Sequence, residues 1–247
     1  MKPAGWLGRA VSLLFPTRCV CCGRLAPAGV PECETCAHSL PRVTGEICPK
    51  CGRGREWCAC RGKKRAYERC VAPLYYEGMA RKGVLRMKYG NHPAAAAGFA
   101  VMARETVERE YAAVPFDMVT AVPMTAAEQR ARGFNQAALF GRQLARGLSL
   151  PYRETLRKAF VTKPQHMCAA CERQGNVFGA YAALPGKAGR TVLLVDDIVT
   201  TGATLNECAK VLCLAGAERV YCVAIACVRR KNAVSAEASC KKTEFSG

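Results

Sequence analysis

Residues 191–204 read TVLLVDDIVTTGAT. Val192, Leu193, Leu194 and Val195 form a continuous apolar run, as a strand buried on both faces requires, and the reading ends that strand at the acid pair Asp196 and Asp197. In an open parallel sheet, ligands bind beyond the carboxyl ends of the strands, where these two acids fall. Thr200, Thr201, Gly202, Ala203 and Thr204 then turn into a helix. Small hydroxyl residues and a glycine let backbone N–H groups close around a phosphate, and the helix N-terminus adds positive potential. An acid pair inside the phosphate cup would repel its ligand. A few residues upstream it suits the vicinal hydroxyls of a ribose, directly or through Mg²⁺. Asp and Thr are common helix caps. An ordinary capped turn, however, does not require the apolar strand, the acid pair and the Thr-Thr-Gly turn in this order.

Working outward, apolar strands alternate with helical stretches. Val71 to Tyr76 and Asp117 to Val122 read as strands, the second stopping at Pro123. Thr191 to Val195 and Val220 to Val228 are further strands. Met79 to Tyr89, Ala94 to Tyr111, Ala137 to Leu148 and Thr204 to Ala215 read as helices, the last stopped by Gly216. This alternation predicts an α/β fold with a parallel sheet. Three parts are expected: an N-terminal helix and cysteine-rich module over 1–66, the α/β domain over 67–230, and a polar basic tail over 231–247.

The chain holds 17 cysteines in 247 residues, nine of them between Cys19 and Cys60. That stretch lacks the aliphatic periodicity to build a core of its own. Its pairs are Cys19-x-x-Cys22, Cys33-x-x-Cys36, Cys48-x-x-Cys51 and Cys58-x-Cys60. A CxxC knuckle presents two thiolates on one side, and zinc suits four thiolates in a tetrahedron. Two structural zinc sites of four cysteines each are expected. Sequential and crossed pairing both satisfy the spacing. With all positions filled, neither zinc would activate water. Cys21 and Cys70 are left over as packing or exposed thiols, and Cys168-x-x-Cys171 reads as a chance spacing. Cys208, Cys213, Cys222 and Cys227 read as small core residues.

The apolar patch around Trp6 to Phe15 is broken by Gly8 and Arg9 and lacks a clean cleavage site, so it reads as an amphipathic helix packed on the body rather than a secretory signal. No stretch of eighteen apolar residues occurs, so no transmembrane helix and a cytoplasmic location are expected. The formal net charge of +18 favours anionic partners, and Arg61 to Arg65, RGKKR, concentrates part of it. Trp57, Tyr67, Tyr75, Tyr76 and Tyr89 lie near basic stretches and could stack bases, although at least one of Tyr75 and Tyr76 should be core.

These features together resemble the ComF family of competence-associated proteins. The resemblance runs from Cys19 to Val228. It is carried by the doubled cysteine pattern, the LYYEG…MKYGN stretch from Leu74 to Asn91, AVPMTAAEQRARGFNQ from Ala121 to Gln136, and the 191–204 segment, which matches the phosphoribosyltransferase signature. It implies a type I phosphoribosyltransferase-like parallel sheet flanked by helices, behind a small zinc-ribbon module. It further implies that Asp196 and Asp197, the catalytic acids of an active member, bind the ribose hydroxyls and that Thr200 to Thr204 hold the 5-phosphate. The turn at Pro123 and Met124 would be the pyrophosphate loop, with Arg130, Arg132 and Asn135 covering the site and Lys88 reaching pyrophosphate. The segment KPQHMCAACERQGNVFGAY, 163–181, departs from the family at His166, Met167, Cys168 and Cys171. The implied function is binding of phosphoribosyl pyrophosphate with Mg²⁺ and of single-stranded DNA during DNA uptake, alongside other uptake proteins. The alternative is an active phosphoribosyltransferase of nucleotide metabolism or salvage.

Overall fold

The structure is a computed structural model. It describes residues 17–58, 60, 62, 64–90, 92–158, 179–186 and 188–229. The expected N-terminal helix, the basic tail and the Cys168/Cys171 pair lie outside these residues.

The centre is a parallel sheet whose strands run, in space, β1/β2 – β7 – β6 – β3. β6 (Thr191–Val199) and β7 (Arg219–Cys227) are the long central pair, flanked by β3 (Met118–Ala121) on one side. On the other side β1 (Arg69–Val71) and β2 (Leu74–Tyr75) both pair with β7. The single strand expected over Val71–Tyr76 is thus two pieces, separated at Ala72 and Pro73, where proline has no N–H to give the ladder. Val192 to Val195 are all fully buried, as the apolar run requires.

Helices cover both faces. α2 (Gly78–Tyr89), α3 (Ala95–Glu110) and α5 (Gln136–Gly147) share a core with one face, centred on Met87, Phe99, Phe140, Leu144, Leu193 and Val195. α6 (Ala203–Leu214) covers the other face with Leu194, Cys222 and Ala224. A short α4 (Ala126–Arg132) and a two-stranded antiparallel sheet of β4 (Leu156–Lys158) and β5 (Tyr181–Ala183) complete the domain.

The cysteine-rich segment, which includes α1 (Glu34–Ser39), divides between the two faces. Cys19, Val20, Cys36 and Leu40 join the core of α2 and α3. Val43, Ile47 and Trp57 join the core on the α6 side. Cys21, Cys70, Cys208, Cys222 and Cys227 are buried packing thiols, but Cys213 is exposed. It sits near the C-terminus of α6 and faces away from the sheet, which corrects its reading as a core residue.

Candidate functional site

The acid pair belongs to β6. The strand does not stop at Val195: Asp196 stands opposite Ala224, Ile198 opposite Ala226 and Val199 opposite Cys227. An aspartate serves the backbone ladder as well as any residue, and β7 is long enough to keep pairing. The Asp197 N–H donates to Asp196 Oδ1 at 2.8 Å. Lys88, in the last turn of α2, places Nζ 2.7 Å from Asp197 Oδ2, with both side chains less than one-fifth exposed. Burial, reinforced by the neighbouring Asp197 charge, pushes the Asp196 carboxyl well above its ordinary range. Such a pair, half-buried and incompletely neutralised by one lysine, fits a divalent cation or sugar hydroxyls. A bound Mg²⁺ would supply charge neutralisation there.

Downstream, Thr200 and Thr201 are exposed and Gly202 is buried. Gly202 takes φ 74°, ψ 11°, and is the N-terminal cap residue of α6. Only glycine enters that conformation without penalty. Crowding adds a second requirement, because a Cβ there would lie 3.0 Å from the Tyr67 hydroxyl. The Ala203 N–H donates to Thr201 Oγ1 at 3.2 Å. The result is an exposed loop entering a three-turn helix, with Ala203 and Thr204 half-buried at its start.

Pro123 and Met124 follow β3 and line a cleft of about 470 Å³ together with Gln129, Phe134, Asn135 and Arg157. α4 begins with a complete capping box, Thr125 with Glu128, and ends at Gly133 in the left-handed region. Lys158 ties this helix to β4 through Glu128 at 3.1 Å. Arg130 is exposed. Arg132 stacks over the Tyr89 ring at 5.6 Å, next to Lys88 in sequence. Asn135 is committed locally: its Nδ2 donates to the Val122 carbonyl at 3.1 Å, and its Oδ1 accepts from the Ala138 N–H. It tethers the end of β3 to the start of α5.

The structure gathers the eight paired cysteines into two sets, Cys19, Cys22, Cys33, Cys36 and Cys48, Cys51, Cys58, Cys60. Within each set the sulfurs all lie within 4.8 Å of one another. Cys22 and Cys33 sulfurs are 3.6 Å apart, and Cys48 lies 3.2 Å from Cys58 and 4.0 Å from Cys60. Four thiolates at 2.3 Å from a tetrahedral zinc are about 3.8 Å apart. The sets therefore fit structural zinc, and the pairing is sequential.

Two arginines of the second ribbon and its exit reach the loop after β6, and the sequence reading places neither there, Arg65 being read only as the end of the basic RGKKR run. Arg53 is 3% exposed; it donates from Nη2 to the Thr200 carbonyl and from Nε to the Val228 carbonyl at 2.5 Å. Arg65 Nη2 donates to the Thr201 carbonyl at 2.8 Å. In a chain this rich in arginine, no spacing ties these two to the loop. Among the aromatics, Tyr67 and Tyr75 are buried, while Tyr89 is 68% exposed. Arg229 lies 4.9 Å from the Trp57 ring and 4.2 Å from that of Tyr75.

Comparison with known families matches residues 10–72 to the double zinc ribbon domain and residues 135–244 to the phosphoribosyl transferase domain. Competence protein F of Haemophilus influenzae is 27% identical over 219 residues, covering 83% of this chain and 95% of that protein. Over most of its length the chain is similar to competence proteins of the ComF type. Another relative is the DNA utilization protein YhgH of Salmonella typhi, 29% identical over 77% of this chain and 88% of that one. Competence protein ComFC of Bacillus subtilis is 27% identical over 73% and 77%. Among the described residues, no helix is long and apolar enough to cross a membrane.

Proposed function

We propose that this protein binds phosphoribosyl pyrophosphate with Mg²⁺ at the carboxyl end of its parallel sheet, and that it handles single-stranded DNA in DNA uptake. One observation carries the ligand reading: the acid pair at the end of β6 is followed within a few residues by an exposed loop that turns through Gly202 at φ 74° into α6. Asp196 and Asp197 take the ribose hydroxyls and the cation. Thr200 to Thr204 take the 5-phosphate on backbone N–H groups and hydroxyls. Lys88, already beside Asp197, supplies positive charge on the pyrophosphate side. In this reading Pro123 and Met124, which line a separate cleft after β3, and Arg130 and Arg132 on α4 come over the bound ligand, as guanidinium groups grip phosphate well. The DNA part rests on the +18 charge and on relatives whose names speak of competence and DNA utilization.

The test is calorimetric titration with phosphoribosyl pyrophosphate and Mg²⁺, repeated with single-stranded DNA present. Binding should need the cation and should weaken by about tenfold or more in Asp197→Asn, the scale of one charge-assisted contact. DNA affinity should survive that substitution. No heat at millimolar phosphoribosyl pyrophosphate would sink the ligand reading. Magnesium-dependent release of pyrophosphate, abolished by Asp197→Asn, would favour the catalytic alternative.

A further inference from the structure

We infer that the second cysteine ribbon positions the phosphate loop: Arg53 and Arg65 hold the Thr200 and Thr201 carbonyls on the ribbon side and so aim the next two amides into the anion site. This rests on the reading that Thr200 to Thr204 accept a phosphate.

The argument begins with the peptide unit. It is planar and trans, so a carbonyl and the N–H of the following residue point in opposite directions; the described chain has no cis peptide bond. Arg53 fixes the Thr200 carbonyl and Arg65 the Thr201 carbonyl. The N–H groups of Thr201 and Gly202 therefore face away from the ribbon. Two successive amides turned to one side form a concavity suited to an anion. Neither arginine has to touch the ligand. Each acts through a carbonyl, while its charge adds positive potential behind the loop.

Arg53 is itself placed by the cysteine knuckle. The Cys48 N–H donates to the Arg53 carbonyl at 2.7 Å, and the Gly52 N–H donates to the Cys48 carbonyl at 3.0 Å. A Cβ at Gly52 would lie 3.1 Å from the Cys70 carbonyl and Val71 Cα, so the knuckle rests directly on the backbone of β1. Further contacts tie the ribbon to the start of α6. The Tyr67 hydroxyl, which crowds Gly202, donates to the Lys50 carbonyl at 2.7 Å. The Ala66 N–H donates to Asn206 Oδ1 at 2.9 Å. The ribbon thus meets the loop at Thr200, Thr201, Gly202 and the first turn of α6. The set Cys48, Cys51, Cys58 and Cys60 provides the frame from which Arg53 projects, which gives this ribbon a role at the site that structural zinc alone does not require.

The experiment compares Arg65→Ala, Arg65→Lys and Arg53→Lys with the wild-type full chain. Affinity for phosphoribosyl pyrophosphate with Mg²⁺ is measured by calorimetry, well below each variant's melting midpoint, beside zinc content. Arg53→Ala is set aside because a buried loss would leave two carbonyls unpaired and could unfold the ribbon. Arg65→Ala should bind about tenfold more weakly with its zinc content unchanged, the scale of one lost charge-assisted bond. Arg65→Lys, which keeps a cationic donor, should recover most of that loss. Arg53→Lys cannot reach both carbonyls at once and should also bind more weakly. Amide exchange at Thr201 and Gly202 should quicken in the weakened variants. Wild-type affinity in both Arg65→Ala and Arg53→Lys would overturn the inference while leaving the ligand reading intact. Absence of binding by the wild type would remove both.

Discussion

Asp196 sits where its charge is least welcome. Burial and the adjacent Asp197 both favour its neutral form, and the Asp197 N–H and Lys88 only partly offset them. A carboxyl whose folded pKa is raised contributes stability below its unfolded pKa and loses it as pH rises through the folded value. Asn at this position keeps the oxygen that accepts the Asp197 N–H and has no charge to bury. Asp196→Asn is therefore expected to melt higher than the wild type without ligand at pH 8, by about 3 °C for each kcal/mol relieved. The gap should close as pH falls and the wild-type carboxyl takes up its proton. Melting curves from pH 4 to 8, with and without Mg²⁺, check this; a gap that widens toward acid would refute it. Removing the charge should weaken Mg²⁺-dependent ligand binding at the same time, so the stabilised variant is the poorer binder. At this scale the placing of the acid pair near the end of β6 and the turn at Gly202 were legible from residue type and order. Asn135 was not: its tether to Val122 and Ala138 depends on where β3 ends. Arg53 was not either, since its partners lie 147 and 175 residues away.

The four long helices stand within a residue or so of their expected limits, because each carries an apolar face that the sheet buries. The shorter elements were not legible. α4 has no buried residue, and so no apolar periodicity to reveal it; its signal is the Thr125–Glu128 box, which reads as a loop without the fold around it. β4 and β5 are three residues each, and their pairing spans the 159–178 segment, so no short-range turn signal announces them. The acid pair disguised the last part of β6 as a strand end. α4 therefore depends on its cap, and that can be tested. Thr125→Ala should cost about 1 kcal/mol locally, seen as faster amide exchange across Ala126–Arg132 with little change in the global melt. The bond from the Thr125 N–H and the nearby Lys158 hold the Glu128 carboxyl below its ordinary range. A depressed carboxylate gives stability above its unfolded pKa and loses it as pH falls through the folded one. Protection of α4 should accordingly decline toward acid, and Lys158→Met should blunt that decline. Protection independent of both substitutions would show that packing, not the cap, holds the helix.

At the scale of the whole molecule, the two ribbons serve opposite faces of one sheet, the first set joining the core of α2 and α3 and the second reaching the loop of β6. The proposed site lies where the second ribbon meets the loop that follows β6. A net charge of +18 acts on any phosphate chain through counterion release, whereas a half-buried acid pair with a chelated cation is screened much less by salt. The two proposed ligands should therefore separate by ionic strength. If single-stranded DNA is held along a basic surface through about six phosphates, log affinity should fall against log salt with a slope near −4, roughly 300-fold between 50 and 200 mM. Phosphoribosyl pyrophosphate with Mg²⁺, which meets a few fixed partners, should lose far less over the same range. Fluorescence anisotropy with a labelled oligothymidine, beside calorimetry for the small ligand, reads both slopes on one preparation. DNA affinity that ignores salt would remove the electrostatic account, and equal slopes for the two ligands would mean that they compete for a single exposed basic surface.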